Sequence, residues 1–384
     1  MKIPKTSYRL AIRCIALIAV IVMMTAGDLW GCTSALVGIN RGEGGRWLLW
    51  KHRDSGHKDN YVRNFEATDS TLAYVGLFNA SDTDAHEVWI GFNSAGFAVM
   101  NTASYNIPSP DEDCKDGEGL IMTEALRSCR SLDDFYRLLT DYPGRRGVQA
   151  NFGAFDATGN GAYFETSDRG VTVYPVDSTG IATRTNYSLS GGERGRLGVS
   201  RHRAETHLLD SIMSTPREWG ALRQLAAEDL IETLSRSLYL PSACIDLLDG
   251  KATRYPDNGD VISRRSSCAS VVIEGPLPGE NPAETMIMWT AIGFPTLSVV
   301  QPVTLDSVPE VLFPTGREGH STLCDSVNIL RDRAFLPAKQ SAKRGSSKHR
   351  YDFDLKYLRR EIPRRRQLSL PRYAPARESV RRSR

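Results

Sequence analysis

Hydrophobic positions along the chain change period several times, and each change marks an element. Residues 32–40 (CTSALVGIN) form one short apolar run and residues 46–54 (RWLLWKHRD) another, with glycines at 42, 44 and 45 between them. Glycine permits the tight reversal that two such runs need, so the pattern predicts a β-hairpin whose first residue is Cys32. Further strand patterns occupy residues 72–104 (LAYVGLF, HEVWIGFN, GFAVMNTAS), with NSAG at 93–96 as the turn between the last two. Residues 118–140 change to helical spacing, and Ser131 followed by Asp133 and Asp134 reads as a fresh helix start, which predicts two helices. Alternation returns over 149–184, helical spacing at 201–213 and 217–238, and strands at 268–273 and 285–301. Helices grouped between sets of strands predict a layered α+β domain with antiparallel sheets, as opposed to alternating βαβ units.

The two ends differ from the body. Lys2, Lys5, Arg9 and Arg13 precede an apolar run, Cys14 to Ala26 (CIALIAVIVMMTA). Such a run suits a signal peptide and falls short of the ~20 apolar residues of a transmembrane helix. Residues 1–31 are therefore read as an export leader, and the mature protein as periplasmic or extracellular with no integral membrane span. The formal net charge of +3 conceals an acidic body: residues 1–31 carry +3, residues 339–384 carry +12, and residues 32–338 carry −12. The C-terminal segment, with SAKRGSSKHR, RREIPRRRQ and ARESVRRSR, is expected to be a disordered basic tail, solvated and without a nucleic-acid partner, since no nucleic-acid fold motif accompanies it. Residues 32–338 remain as the catalytic domain.

If the leader is cut at Gly31–Cys32, one residue acquires both a thiol and a free α-amine. An α-amine with a pKa of ~7.7–8.0 is partly neutral at physiological pH and can accept the thiol proton. The thiolate attacks a carbonyl and forms a thioester, which water or an amine then resolves. Such a site needs no catalytic histidine, metal or cofactor. It does need preorganised donors for a developing oxyanion, for which Asn101 and Asn186 are the candidates. Asp54, ending the second hairpin strand, is placed to hold the amine, and Arg53 or Lys51 to favour the thiolate.

These residues belong to five patches that keep a familiar order over residues 32–305. They are Cys32-Thr33-Ser34; Lys51-His52-Arg53-Asp54; Gly91 to Phe97 with Asn101 behind; Ala150-Asn151-Phe152-Gly153 running on to Ala162-Tyr163-Phe164-Glu165; and Thr183-Arg184-Thr185-Asn186-Tyr187, with Ser200-Arg201 following. The layout resembles the choloylglycine hydrolase and penicillin acyltransferase group of cysteine N-terminal-nucleophile (Ntn) enzymes, above all its acyl-CoA:6-aminopenicillanic-acid acyltransferase-like branch. The resemblance implies a four-layer αββα Ntn-hydrolase sandwich with two stacked, mostly antiparallel sheets. It also implies an amide hydrolase or acyltransferase acting on a small-molecule or peptide amide. On it, Cys32 is nucleophile and base, Asp54 binds the new N-terminus, Asn186 helps form the oxyanion hole, and Arg201 steadies the nucleophile's surroundings. An oligomer is left open.

The rival reading concerns the same residue. Leu29-Trp30-Gly31-Cys32 resembles a lipobox, which would make Cys32 a lipid-modified residue and the protein a lipid-anchored exported binding protein. A blocked amine would abolish the base, and the four later patches would go unexplained.

Overall fold

The computed structural model describes residues 31–38, 46–107, 117–142, 146–177, 180–214, 225–338 and 351–382. The leader expected over residues 1–31 lies outside them except for Gly31, as does the 39–45 turn of the first hairpin. Gly31–Arg384 forms one compact unit.

In chain order the elements are β1 (Thr33–Val37), β2 (Leu48–Asp54), β3 (Asn60–Phe65), β4 (Tyr74–Asn79), β5 (Ile90–Asn93), β6 (Ala98–Ala103), helices α1 (Glu118–Ser128) and α2 (Leu132–Thr140), then β7 (Ala150–Phe155), β8 (Gly161–Thr166), β9 (Val171–Pro175) and β10 (Ile181–Arg184). Helix α3 (Val199–Met213) follows, then a helical segment over 227–234 and short strands β11 (Tyr239–Leu240), β12 (Ile245–Asp246) and β13 (Arg254–Pro256). Strands β14 (Ser267–Glu274), β15 (Ile287–Ile292) and β16 (Gln301–Val303) precede helix α4 (Thr322–Ala334), β17 (Phe335–Pro337), β18 (Tyr351–Asp354), and helices α5 (Leu355–Ser369) and α6 (Tyr373–Arg382).

Two antiparallel sheets dominate, one ordered β10-β1-β2-β14-β15-β16 and the other β3-β4-β5-β6-β7-β8-β9. Three apolar clusters show how they stack. Leu36, Leu49, Val271, Ile273 and Met288 of the first sheet meet Val62, Leu77, Phe92 and Met100 of the second. The opposite face of the first sheet, with Ala35, Val37, Trp50 and Trp289, meets Ala204, Leu209 and Ile212 of α3 and the 227–234 segment. The opposite face of the second, with Phe97, Val99, Phe152 and Phe164, meets Ile121 and Leu126 of α1 and Phe135 and Leu139 of α2. The order is helix, sheet, sheet, helix, the α+β αββα sandwich expected from the sequence. Both faces of β1 and β2 are covered, which is why their sequences read as continuous apolar runs instead of alternating ones.

Local signals hold where they were clearest. The β5–β6 reversal falls on NSAG: Asn93 Oδ1 accepts from the amides of Ala95 and Phe97, and Gly96 takes φ 86°, a left-handed conformation that glycine adopts without strain. Ser131 and Asp134 form a capping box that starts α2, separating it from α1.

The C-terminal segment departs from expectation. Residues 351–382 are not a disordered tail: β18 pairs with β13 and β17, and α5 and α6 pack on the body. Leu355, Leu358 and Ile362 recur at helical spacing and are buried, as are Tyr373 and Val380. The arginines between them mask that period, yet some have structural work. Arg359 donates to the carbonyls of Leu247, Leu248 and Ala252, and Arg377 clamps Glu228 and Glu274 over the Trp289 ring.

Candidate active site

Strand β1 begins immediately after Cys32, whose thiol is free and half-buried. Pairing Thr33 with His52 and Ser34 with Lys51 sets the Lys51–Asp54 run of β2 alongside it. The carbonyls on both sides of the Gly31–Cys32 junction are held by two guanidinium groups, that of buried Arg201 and that of partly buried Arg264. Arg201, on α3, donates Nη1 to the Cys32 carbonyl (2.6 Å) and to Thr33 Oγ1 (2.8 Å), and Nη2 to Asn186 Oδ1 (2.5 Å). Arg264 donates Nη2 to the Gly31 carbonyl (2.9 Å) and Nε to Asp54 Oδ2 (2.9 Å). The second oxygen of Asp54 accepts from Ser267 Oγ at 2.6 Å. Burial, reinforced by the neighbouring Arg264, lowers the Arg201 pKa to about 10, which leaves it a cation at neutral pH. For Arg264 burial pulls the other way from Asp54 and Asp257, and the two carboxylates win, so its pKa rises.

Gly31 is a glycine for a spatial reason. A Cβ there would overlap Asn186 Oδ1, Arg201 Nη2 and Arg264 Nη2 together.

The loop bearing Asn186 is fixed from both sides. Asn151 Nδ2 donates to the carbonyls of Thr185 and Tyr187, and Ser188 to Asn151 and Asn106. Buried Glu165 on β8 pairs with Arg184 at 2.8 Å and accepts from the amides of Leu189 and Ser190. With Oδ1 on Arg201, the Asn186 amide has its orientation set, and Nδ2 gives one hydrogen to the Ala103 carbonyl at 2.9 Å. Among the described residues its second hydrogen has no such commitment.

Lys51 is almost wholly buried. Its Nζ donates to the Trp89 carbonyl (2.7 Å) and Asn101 Oδ1 (2.6 Å). Burial lowers its pKa to about 8, although the adjacent Cys32 pulls it upward. His52 is lowered to about 4 by burial, so it is neutral at physiological pH, with Nε2 on Ser267 at 2.9 Å.

The structure thus gathers Cys32, Asn186 and Arg201 directly, and Asp54 through Arg264. Asn101 stands one step back, as the seat of Lys51. Arg53 is turned elsewhere: its donors go to Asn60 and Asn79 (both 2.9 Å) and Cys268 Sγ (3.2 Å), with the guanidinium over the Trp89 ring. Sequence reading missed Arg264. Its chemistry depends on a register shift between Ser267 and Ala269 against β2, which no local motif announces. Among the described residues one group has metal-ligand character, Asp59, His320 and Asp325, and there His320 Nδ1 is spent on Asp325 at 2.9 Å. No helix among the described residues is long and apolar enough to cross a membrane.

No protein-family model matches the sequence, and no curated protein does. Among solved structures the chain is similar to a Caenorhabditis elegans N-acylethanolamine-hydrolyzing acid amidase ortholog (TM-score 0.43, 13% identity, 72% of this chain and 100% of that one). It is also similar to penicillin V acylase from Agrobacterium tumefaciens (0.39, 13%, 72% and 87%) and to a mutant conjugated bile acid hydrolase from Clostridium perfringens (0.36, 10%, 72% and 93%). At TM-scores below 0.5 these likenesses carry no inference of activity, which is drawn from the site's own chemistry.

Proposed function

We propose that the protein is an amide-bond hydrolase or acyltransferase that works through a thioester on Cys32, after the Gly31–Cys32 bond has been cut in an exported precursor. The observation that carries this reading is the paired grip of Arg264 and Arg201 on the carbonyls either side of that bond, with Asp54 and Asn186 completing the cage.

In the processed chain the Cys32 amine takes the thiol proton and the sulfur attacks the substrate carbonyl. Buried cations at Lys51 and Arg201 favour the thiolate. Asn186 donates its uncommitted Nδ2 hydrogen to the oxyanion, an interaction that strengthens as charge develops. The tetrahedral adduct collapses, the amine returns its proton to the leaving nitrogen, and a thioester remains on Cys32. Water or an acceptor amine then attacks the thioester by the same route in reverse. No step is assigned to a metal or cofactor.

The same geometry argues against the anchor reading. A lipidated cysteine needs a tether that reaches the bilayer, whereas Gly31 is buried and Cys32 leads directly into an inner strand of the six-stranded sheet.

The test is a panel of linear amides, spanning N-acyl amino acids, peptides, bile-salt conjugates and β-lactam side-chain amides, with the intermediate trapped and its site mapped by mass. Acyl mass on a Cys32 with a free amine supports the proposal. A diacylglyceryl adduct there, or acyl transfer that survives Cys32→Ala, overturns it.

A further inference from the structure

One turn beyond Arg201 on α3, Glu205 is completely shielded from solvent, and among the described residues neither carboxyl oxygen has a hydrogen-bond partner. The Nε of Arg201 is likewise buried and unpartnered. Residues four apart on a helix lie side by side, so an orphaned donor and two orphaned acceptors share one stripe of α3. Buried polar groups are almost always satisfied, and an exception of this kind asks for a cause.

The groups around Glu205 leave little to pair with it. The charged ones are Arg201 on its own helix and Arg184 on β10; Tyr163 of β8 and Tyr187 beyond β10 complete the titratable set. Arg184 spends Nε on Glu165 and Nη1 on the Thr183 carbonyl. Tyr163 shares its hydroxyl with Ser34, and Tyr187 with His202. Arg201 keeps both Nη groups forward, on Cys32, Thr33 and Asn186. Burial outweighs the two arginines and holds the Glu205 carboxyl protonated well above the usual carboxylate range.

We propose that Glu205 is a positioning residue for the nucleophile, its protonation state deciding whether Arg201 stays forward on the Cys32 carbonyl, Thr33 and Asn186 or is drawn back along α3 by its free Nε. A neutral Glu205 leaves the guanidinium's two Nη groups to the site. An ionised Glu205 competes for the same cation, and charge-assisted pairing at Nε loosens the forward contacts. Only a proton moves, from the carboxyl to bulk solvent and back. The inference rests on the reading of Cys32 as the nucleophile, but its consequence is measurable without turnover, because Arg201 also contributes to the field at the Cys32 sulfur.

The experiment measures the rate of Cys32 alkylation by iodoacetamide from pH 5 to 10, by mass of the Cys32 peptide, in the wild type, Glu205→Gln, Glu205→Asp and Arg201→Gln. Glutamine mimics the protonated acid permanently. The expected result is equal rates for wild type and Glu205→Gln at pH 6. At the alkaline end the wild type lags by about tenfold, the scale of one lost hydrogen bond to a charged group. Glu205→Asp keeps the alkaline lag, and in an Arg201→Gln background, which has no cation to draw back, Glu205→Gln changes nothing. Superimposed wild-type and Glu205→Gln profiles overturn the proposal, as does a Glu205→Gln rate lowered by one factor at every pH. Profiles that separate as expected in a protein that turns over no amide would leave the Glu205 coupling standing and remove the nucleophile reading alone.

Discussion

The two helical layers of the sandwich bury very different material. Under α1 and α2 the seam is aromatic: Phe135 meets Phe152 and Phe164 edge-on, with ring centroids 5.6 and 5.1 Å apart, and packs on Phe97. Under α3 the seam carries Arg201 and Glu205 beside Ala204, while His52 and Asp54 lie on the covered sheet. Apolar burial stabilises at ~25 cal/mol per Å², whereas a desolvated charge is costly unless paired. Both layers have an apolar core, the first an aromatic one and the second one built around Trp50, Trp289, Leu230, Ile231 and Leu234. What sets the second apart is that it also holds charged and polar groups, Arg201, Glu205, His52 and Asp54, around the start of β1.

Four substitutions sharpen or break this contrast. The largest effect is expected from Cys32→Ala, which should lower kcat on any accepted amide by at least ~10⁴-fold while the thermal midpoint stays near wild type. Retained turnover would end the division of labour between the layers. Phe135→Ala should do the converse, costing about 3–5 kcal/mol of unfolding free energy in denaturant titration with kcat/KM of the folded fraction unchanged. Asn186→Ala should lower kcat by roughly 10²–10³-fold with little change in KM, the signature of a contact made mainly in the transition state.

The pH dependence of stability reads the charged layer more gently. His52 is neutral in the fold down to about pH 4, while in the unfolded chain it takes a proton near ~6.5. The unfolded state therefore binds more protons between those values, and stability falls as pH drops through the window. His52→Gln should flatten that slope, recovering up to about 3 kcal/mol at pH 4. A slope identical to wild type in urea titrations from pH 7 to 4 would show that the ring titrates freely.

Legibility in the sequence followed the same division. The aromatic layer announced itself: apolar residues at helical spacing and the Ser131–Asp134 cap located α1 and α2. The hairpin opening on Cys32 and the NSAG turn were equally local; chemistry pointed to Cys32, Asp54 and Asn186, and Arg201 entered only through the family resemblance. The remainder depended on distance along the chain. Arg264 reaches Gly31 across 233 positions and Asp54 across 210, so no window of sequence holds the pair. Arg53 and Lys51 were indistinguishable as neighbouring cations on one strand. Only the three-dimensional placement of Asn60, Asn79 and Asn101 sends one away from the thiol and seats the other near it. Strand β3 escaped notice because Arg63 and two asparagines interrupt its apolar positions. Helix α5 was hidden by arginines that cap backbone carbonyls of other elements.

The crowding at Gly31 bears on any change to the residue that precedes Cys32. A Cβ at position 31 would meet Asn186 Oδ1, Arg201 Nη2 and Arg264 Nη2, so these three side-chain ends would have to shift to make room. Alanine at that position is therefore accommodated only if the Asn186, Arg201 and Arg264 side chains move aside, which loosens the contact between Arg264 and the Gly31 carbonyl.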